Sequence, residues 1–385
     1  MSNWGFDAQL THIQQEHLYR SRQTVEGPQG AEVVVAGKRL VNYSSNDYLG
    51  LANHPRVVKA FINSSEKYGV GSGSAHLICG HTAEHQALEE ELAEFTGRQR
   101  ALLFSTGYMA NLGVISALVG KGDDVFQDKL NHASLLDAGK LSGARSRRYL
   151  HADINRLNQL LLRSTQAKKL IVTDGVFSMD GDEAPIEQLV DVAKQSNAML
   201  MVDDAHGFGV LGPTGGGLVE KYELNDEDVP ILMGTFGKAF GTFGAFVAGS
   251  DALIETLIQR ARTYIYTTAA PAAVMAATRE SLKLSQVDTW RREKLAELSK
   301  QFRLGASQLG FNVPDSNSAI HPIIIGDSAK ALSVSQQLAV QGFMVSAIRE
   351  PTVPSGSARL RVTFTATHTE AQVDALLSAL DSVIE

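Results

Sequence analysis

The feature that most constrains this chain is a series of short, almost wholly apolar segments separated by longer amphipathic ones. The segments 101-ALLF-104, 170-LIVT-173, 199-MLMV-202, 231-ILMG-234 and 244-GAFVA-248 carry almost no polar side chain. Strands of that kind are buried on both sides, which predicts a mostly parallel central sheet with helices on both faces. Between them lie segments such as 84-EHQALEEELAEF-95, where Leu88, Leu92 and Phe95 share one helical face and Gly97 follows as a stop. The fold class expected is α/β, and ligands of such sheets gather at the carboxyl ends of the strands.

At 385 residues the chain exceeds the length over which one core keeps growing, so a large domain with a smaller companion is expected. The pattern suggests an N-terminal helical segment over residues 1–45. In it a polar helix bearing Leu10, Ile13 and Leu18 runs to about residue 25, before 27-GPQG-30 breaks it. A large domain over 46–285 follows. A small C-terminal α/β domain over 286–385 completes the chain, with strands at 319-AIHPIII-325, 343-FMVSAI-348 and 358-ARLRVTFTA-366. Its last helix is expected to open at Thr367, with Glu370 in capping-box spacing.

Composition narrows the function. A net charge of −7 leaves no electrostatic footprint for nucleic acid or an anionic membrane. A lone cysteine, Cys79, excludes an internal disulfide and a cysteine-based zinc site, and the histidines, 151-HADIN-155 among them, lack metal-ligand spacing, so no metal is expected. The opening 1-MSNWGFDAQL-10 lacks a basic stretch followed by an apolar one, and no apolar run approaches the roughly 20 residues needed to cross a bilayer. A cytoplasmic location is the expectation.

The residues after each strand carry the chemistry. After 101-ALLF-104 comes 105-STGYMAN-111, a small-residue turn into a helix that can aim backbone N–H groups at a phosphate, or serve as a plain tight turn. After 170-LIVT-173 the segment 174-DGVFSMDGD-182 offers Ser178 as a donor, with Asp180 and Asp182 read as loop caps. Beyond 199-MLMV-202, Asp203 is poorly solvated and His206 returns to the same area; the plainer reading is an N-cap aspartate beside a satisfied histidine. Finally, 235-TFGKAFGTFGAF-246 sets Lys238 among glycines and phenylalanines, where a snorkelling surface lysine is out of place.

A buried acid, a histidine, a phosphate seat and an isolated lysine suit one cofactor. Pyridoxal 5′-phosphate forms a Schiff base with a lysine, needs a carboxylate at its pyridine nitrogen and has a phosphate to anchor. Rival phosphate motifs fail on context. The stretch 69-GVGSGSAH-76 follows a helical segment instead of a strand, and no GK[ST] occurs.

Six stretches in order, 42-NYSSNDYLGLANHP-55, 105-STGYMAN-111, 131-NHASLLD-137, 174-DGVFSMDGD-182, 201-MVDDAHGFGVLG-212 and 235-TFGKAFG-241, resemble the α-oxoamine synthases, fold-type I pyridoxal phosphate enzymes. The resemblance runs from about residue 40 to the C-terminus. Within that family, 105-STGYMANLGVISAL-118 and 347-AIREPTVPSGSARLRVTFTA-366 are similar to members that condense L-alanine with a pimeloyl thioester, carried on coenzyme A or acyl carrier protein. Members that use glycine and another acyl-CoA stay open as an alternative. So does a protein that binds the cofactor without catalysing a reaction.

The resemblance implies a catalytic set of Lys238, His132, Asp203 and His206. Lys238 would carry the cofactor, Asp203 pair with its ring nitrogen, His206 bond its phenolic oxygen and His132 stack on its ring. Gly107, Tyr108, Ser178 and Thr235 would hold the phosphate, with Thr267 or Thr268 reaching it across a homodimer whose sites are shared. Arg20 or its neighbour Arg22, with Asn46, His132, Arg349 and Thr352, would meet the substrate. Spacing alone says nothing of ring stacking for His132. Glu350 departs from the family's proline at that position and is expected to point away from Arg349.

Overall fold

In the computed structural model residues 4–314 and 316–384 are described, and they form two compact units. The larger spans Asp47–Ser178 and Asp182–Arg292; the smaller gathers the chain up to Asn46, Met179–Gly181 and the chain from Glu293 onward. The smaller unit opens with strands β1 (Glu32–Val35) and β2 (Lys38–Asn42), an antiparallel pair. The larger unit holds β3 (Arg100–Phe104), β4 (Asp124–Asp128), β5 (Arg145–Tyr149), β6 (Lys169–Asp174), β7 (Met199–Asp203), β8 (Ile231–Thr235) and β9 (Ala245–Gly249). The smaller unit resumes with β10 (Ile320–Gly326), β11 (Phe343–Met344), β12 (Ser346–Ile348) and β13 (Ala358–Thr363).

In the larger unit seven strands lie in the order β3-β9-β8-β7-β6-β4-β5. Strands β8, β7, β6, β4 and β5 pair in parallel, and β9 runs antiparallel between β8 and β3. Consecutive strand residues alternate between two cores: Leu103, Ile171, Leu200 and Leu232 pack into one, and Leu102, Val172, Met201 and Ile231 into the other. Both faces of the sheet are therefore buried, which is why these strands read as unbroken apolar runs.

Strands β4 and β5 escape that signal because DVFQD and RSRRY are polar. β5 is the sheet edge, where polar side chains reach water. β4 is buried, but most of its polar groups find partners: Asp124 Oδ2 accepts from Arg147 Nε (2.9 Å) and Ser164 Oγ (2.5 Å), and Gln127 donates to the Leu135 carbonyl (2.6 Å), while Asp124 Oδ1 has no partner among the described residues.

The smaller unit differs from the expectation in four places. The first helix covers only Phe6–Gln15, since His17 turns to φ 56° and Val25 bridges Val35 in extended backbone, which leaves Leu18 outside the helix. The N-terminal segment is not a separate piece. β11 pairs with β2, the Tyr43 hydroxyl donates to the Gln372 carbonyl (2.7 Å) and its ring stacks on His368. The final helix, Glu370–Val383, is capped by Thr369 with Gln372, two residues later than the Thr367 spacing suggested. The apolar run 343–348 divides between two sheets, β11 joining β2 and β12 joining β13. No described helix is long and apolar enough to cross a membrane.

The end of β8 has no room for a side chain before the lysine turn. A Cβ on Gly234 would stand 2.5 Å from Phe246 Cε1 and 2.6 Å from Phe208 Cδ2, in rings that are fully buried. Gly234→Ala is expected to lower stability by about 1–3 kcal/mol through overpacking. Chemical denaturation checks this, and an unchanged midpoint would refute it.

Candidate active site

Three strands end at one place. Asp174 closes β6, Asp203 closes β7 in register with it, and Thr235 closes β8. The connection from β8 to β9 is a tight turn held by Phe236 N to Gly244 O (2.9 Å), Thr242 N to Phe236 O (2.9 Å) and Gly241 N to Lys238 O (2.8 Å). That turn presents Lys238, half-buried, above the strand ends. A cavity of about 180 Å³ is lined by Gly107, Tyr108, His132, Asp203, His206, Thr235 and Lys238, all expected there, together with Asn111, Ser134 and Asp174.

Asp203 is 4% exposed, and each carboxylate oxygen has a donor: Asn111 Nδ2 reaches Oδ2 (2.7 Å) and Ala205 N reaches Oδ1 (3.1 Å). Asp174, buried beside it, accepts from His132 N (2.7 Å). Burial first, and then the charge of Asp203, push the Asp174 carboxyl well above the usual carboxylate range. Of the two carboxyls at these adjacent strand ends, Asp203 has a donor on each oxygen.

Asn111 continues the network. The same Nδ2 also donates to Ser134 Oγ (2.8 Å), while its buried Oδ1 has no hydrogen-bond partner among the described residues. His132 caps the helix Ala133–Leu141: its Nδ1 accepts from Ser134 N (3.3 Å) and lies 2.7 Å from Ser134 Oγ. Since Nδ1 is the acceptor of an N–H, the neutral ring carries its proton on Nε2. The protein packed around the ring lowers its pKa, the Lys238 ammonium adds to that, and Asp203 opposes it. His206 is buried, with Nδ1 2.7 Å from the hydroxyl of buried Tyr48.

The helix Gly107–Leu118 opens onto the cavity with its N-terminus. Thr106 is its N-cap, taking Met109 N on Oγ1 (3.2 Å), and the helical ladder begins at Ala110 N. The N–H groups of Gly107 and Tyr108 precede that ladder and face the cavity end of the helix. A Cβ on Gly107 would lie 2.7 Å from Met233 Cε, the flexible end of a side chain that would have to shift to admit it. Tyr108 is 41% exposed, bonds Asp137 through its hydroxyl and meets His132 edge-on.

Other expected residues lie elsewhere. Ser178, Thr267 and Thr268 do not line this cavity, and Thr268 forms a bridge with Ala75. Arg20, Arg349 and Thr352 belong to the smaller unit and line a cavity of about 490 Å³, where Arg20 Nη2 lies 3.4 Å from Thr352 Oγ1. Arg349 donates to the carbonyls of His17 and Tyr19. Arg22 is not among the lining residues, whereas Glu350, expected to face away, is one of them. Asn46 accepts from Arg361 (3.2 Å), a buried arginine that the sequence reading did not single out. Asn111, Ser134 and Tyr48 also belong to the site, and each lies inside one of the sequence motifs 105–111, 131–137 and 42–55, where nothing local marks it out. Asp180 and Asp182 are not loop caps; they pair with Arg359 and His151.

A buried carboxylate with two donors, an amine across from it, an imidazole and a free helix N-terminus form a donor set that fits pyridoxal 5′-phosphate. The comparisons agree. A family model described as aminotransferase class I and II matches residues 38–380. The 8-amino-7-oxononanoate synthase of Cellvibrio japonicus is 59% identical, over 98% of this chain and 95% of that protein. The synthase of the same name from Methylococcus capsulatus is 58% identical, over 97% of each. Among solved structures, a serine palmitoyltransferase from S. paucimobilis with bound PLP–myriocin superposes with a TM-score of 0.94 at 32% identity, over 99% of this chain and 97% of that one.

Asn111 is the hinge of this network, so its loss is informative. Asn111→Leu keeps the bulk and strips a donor from Asp203, which is expected to weaken cofactor binding by about tenfold to a hundredfold. Fluorescence titration of the cofactor-free chain with pyridoxal 5′-phosphate measures it. Wild-type affinity would mean Asn111 does not support Asp203.

Proposed function

We propose, from the premise that this chain belongs to the aminotransferase class I and II family, that it joins L-alanine to a pimeloyl thioester. The reaction forms a bond from the alanine α-carbon to the acyl carbon, breaks the acyl–sulfur bond and releases carbon dioxide and the carrier thiol. The product is 8-amino-7-oxononanoate, on the way to biotin. The observation that carries this reading is the meeting of Lys238, His132 and Asp203 around one cavity at the strand ends.

Pyridoxal 5′-phosphate, when bound, supplies a carbonyl for an amine to attack and a protonated ring that takes up electrons from a bond broken at the amino acid α-carbon. The chain supplies the rest. Lys238 Nζ would hold the cofactor, and its free amine would remove and return the α-proton. Asp203, whose carboxylate oxygens accept from Asn111 and Ala205 N, would hold the proton on the ring nitrogen. His132, with its proton on Nε2, closes one face of the site, and His206 is oriented by Tyr48. Gly107 and Tyr108 give the phosphate backbone donors, with Thr235 beside them.

On the substrate side the candidates are Arg20, Asn46, Arg349 and Thr352, with Arg361 as a further cation beside Asn46. A homodimer with shared sites forms part of the reading. Thr267 and Thr268 do not line the cavity of their own chain, and nearby Leu77, Ile78 and Tyr266 are exposed apolar side chains.

Product analysis tests the reading. Purified chain given L-alanine and pimeloyl-CoA, or pimeloyl acyl carrier protein, is expected to release carbon dioxide and the amino-oxo acid. Turnover of glycine with a short acyl-CoA instead would move the chain to the glycine-using relatives, and cofactor binding without turnover of either would make it a non-catalytic binder. Lys238→Ala is expected to reduce turnover by about 10³-fold or more while the cofactor still binds without a covalent bond. Substantial residual turnover would remove Lys238 from its role.

A further inference from the structure

Two sequence features of the larger unit play no part in the site just described: the histidine of 151-HADIN-155 and Asp182 of 174-DGVFSMDGD-182. In the structure they meet. His151, just beyond β5, stands between two carboxylates: Nδ1 is 3.2 Å and 3.3 Å from Asp128 Oδ1 and Oδ2, and Nε2 is 2.8 Å from Asp182 Oδ2. An imidazole with a carboxylate on each nitrogen donates from both, and only the imidazolium has two N–H groups. The ring of Phe177 packs edge-on against it at 4.4 Å.

The Asp128 carboxylate in turn ties down backbone, and Asp182 does so through its main-chain carbonyl. Asp128 Oδ1 accepts Leu130 N (2.8 Å), Oδ2 accepts Ala152 N (2.8 Å), and the Asp128 carbonyl accepts Asn131 N (3.2 Å). Asn131 then donates to the Val172 carbonyl (2.8 Å) and accepts from Asp174 N (3.4 Å). The next residue is His132. On the other side the Asp182 carbonyl accepts Phe177 N (2.9 Å), closing the turn that Val176 and Glu183 bridge.

We propose that His151 is a positioning residue for the candidate active site: held as an imidazolium between Asp128 and Asp182, it fixes the 128–132 loop and so the placement of His132. The charge argument supports the geometry. Burial opposes the charged ring, but Asp128 and Asp182, the charged groups acting on it, outweigh burial and push its pKa up to about 10. The folded value lies above the unfolded one, so the stabilisation is complete below about pH 6.5 and is lost as pH rises through the folded value.

The inference rests on the reading of His132 as a cofactor contact and not on the substrates, so its test reads cofactor affinity. His151→Gln is expected to weaken pyridoxal 5′-phosphate binding by about tenfold when His132 is present, and by about twofold or less in a His132→Ala background. An equal loss in both backgrounds would make His151 general scaffolding and overturn the proposal. Should His151→Gln fail to fold, Asp182→Asn carries the same cycle, with the same expected pattern. Independently, the imidazole carbon and nitrogen shifts of His151 in the cofactor-loaded chain are followed against pH. A ring that stays protonated past pH 8 supports the bridge, and a midpoint near 6.5 would refute it.

Discussion

Taking an ionised carboxylate out of water is among the larger penalties a fold can carry, and donors must meet the charge. At the end of β7 the donors are Asn111 and the Ala205 backbone. Because Asn111 also donates to Ser134, the support of Asp203 reaches His132, whose Nδ1 rests on that serine. One amide side chain therefore couples the acid at the strand end to the imidazole facing it. The sheet, the helix carrying Asn111 and the loop carrying His132 are positioned by the same few hydrogen bonds.

The acids near Lys238 are graded. Asp204, directly after Asp203, is fully buried, and burial above all, with the charge of Asp203, pushes its carboxyl up to about 8, although Leu218 N donates to it (2.5 Å). Asp174 is also pushed up by burial and by Asp203. Burial without matched donors favours the neutral acid, and of the three carboxyls only Asp203 has a donor on each oxygen among the described residues. A single focused negative charge is what a protonated ring nitrogen requires.

Much of this was legible in the chain. The central strands read directly because burial on both faces forbids polar residues, and their sequence order puts Asp203 and Lys238 just past strand ends whatever the helices do. Lys238 stood out by its neighbours, since glycine and phenylalanine offer no reason for a surface ammonium. By contrast β4 and β5 were missed, because Asp124, Gln127 and Asp128 are buried polar residues whose partners come from distant segments. The cap of the last helix was misplaced by two residues because Thr367 and Thr369 both stand near an acid or amide at the right interval.

The sequence by itself determined the apolar strands of the sheet, the residues at their carboxyl ends and the chemistry those residue types can perform, because strand burial and side-chain type are local properties that repeat along the chain. Tertiary structure alone decided which groups support them. Asn111 and Asp203 are 92 residues apart, and Tyr48 and His206 are 158 apart. His151 lies 23 residues from Asp128 and 31 from Asp182. Such pairs leave no periodic trace, since a hydrogen bond across that separation depends on where strands and loops come to rest in space.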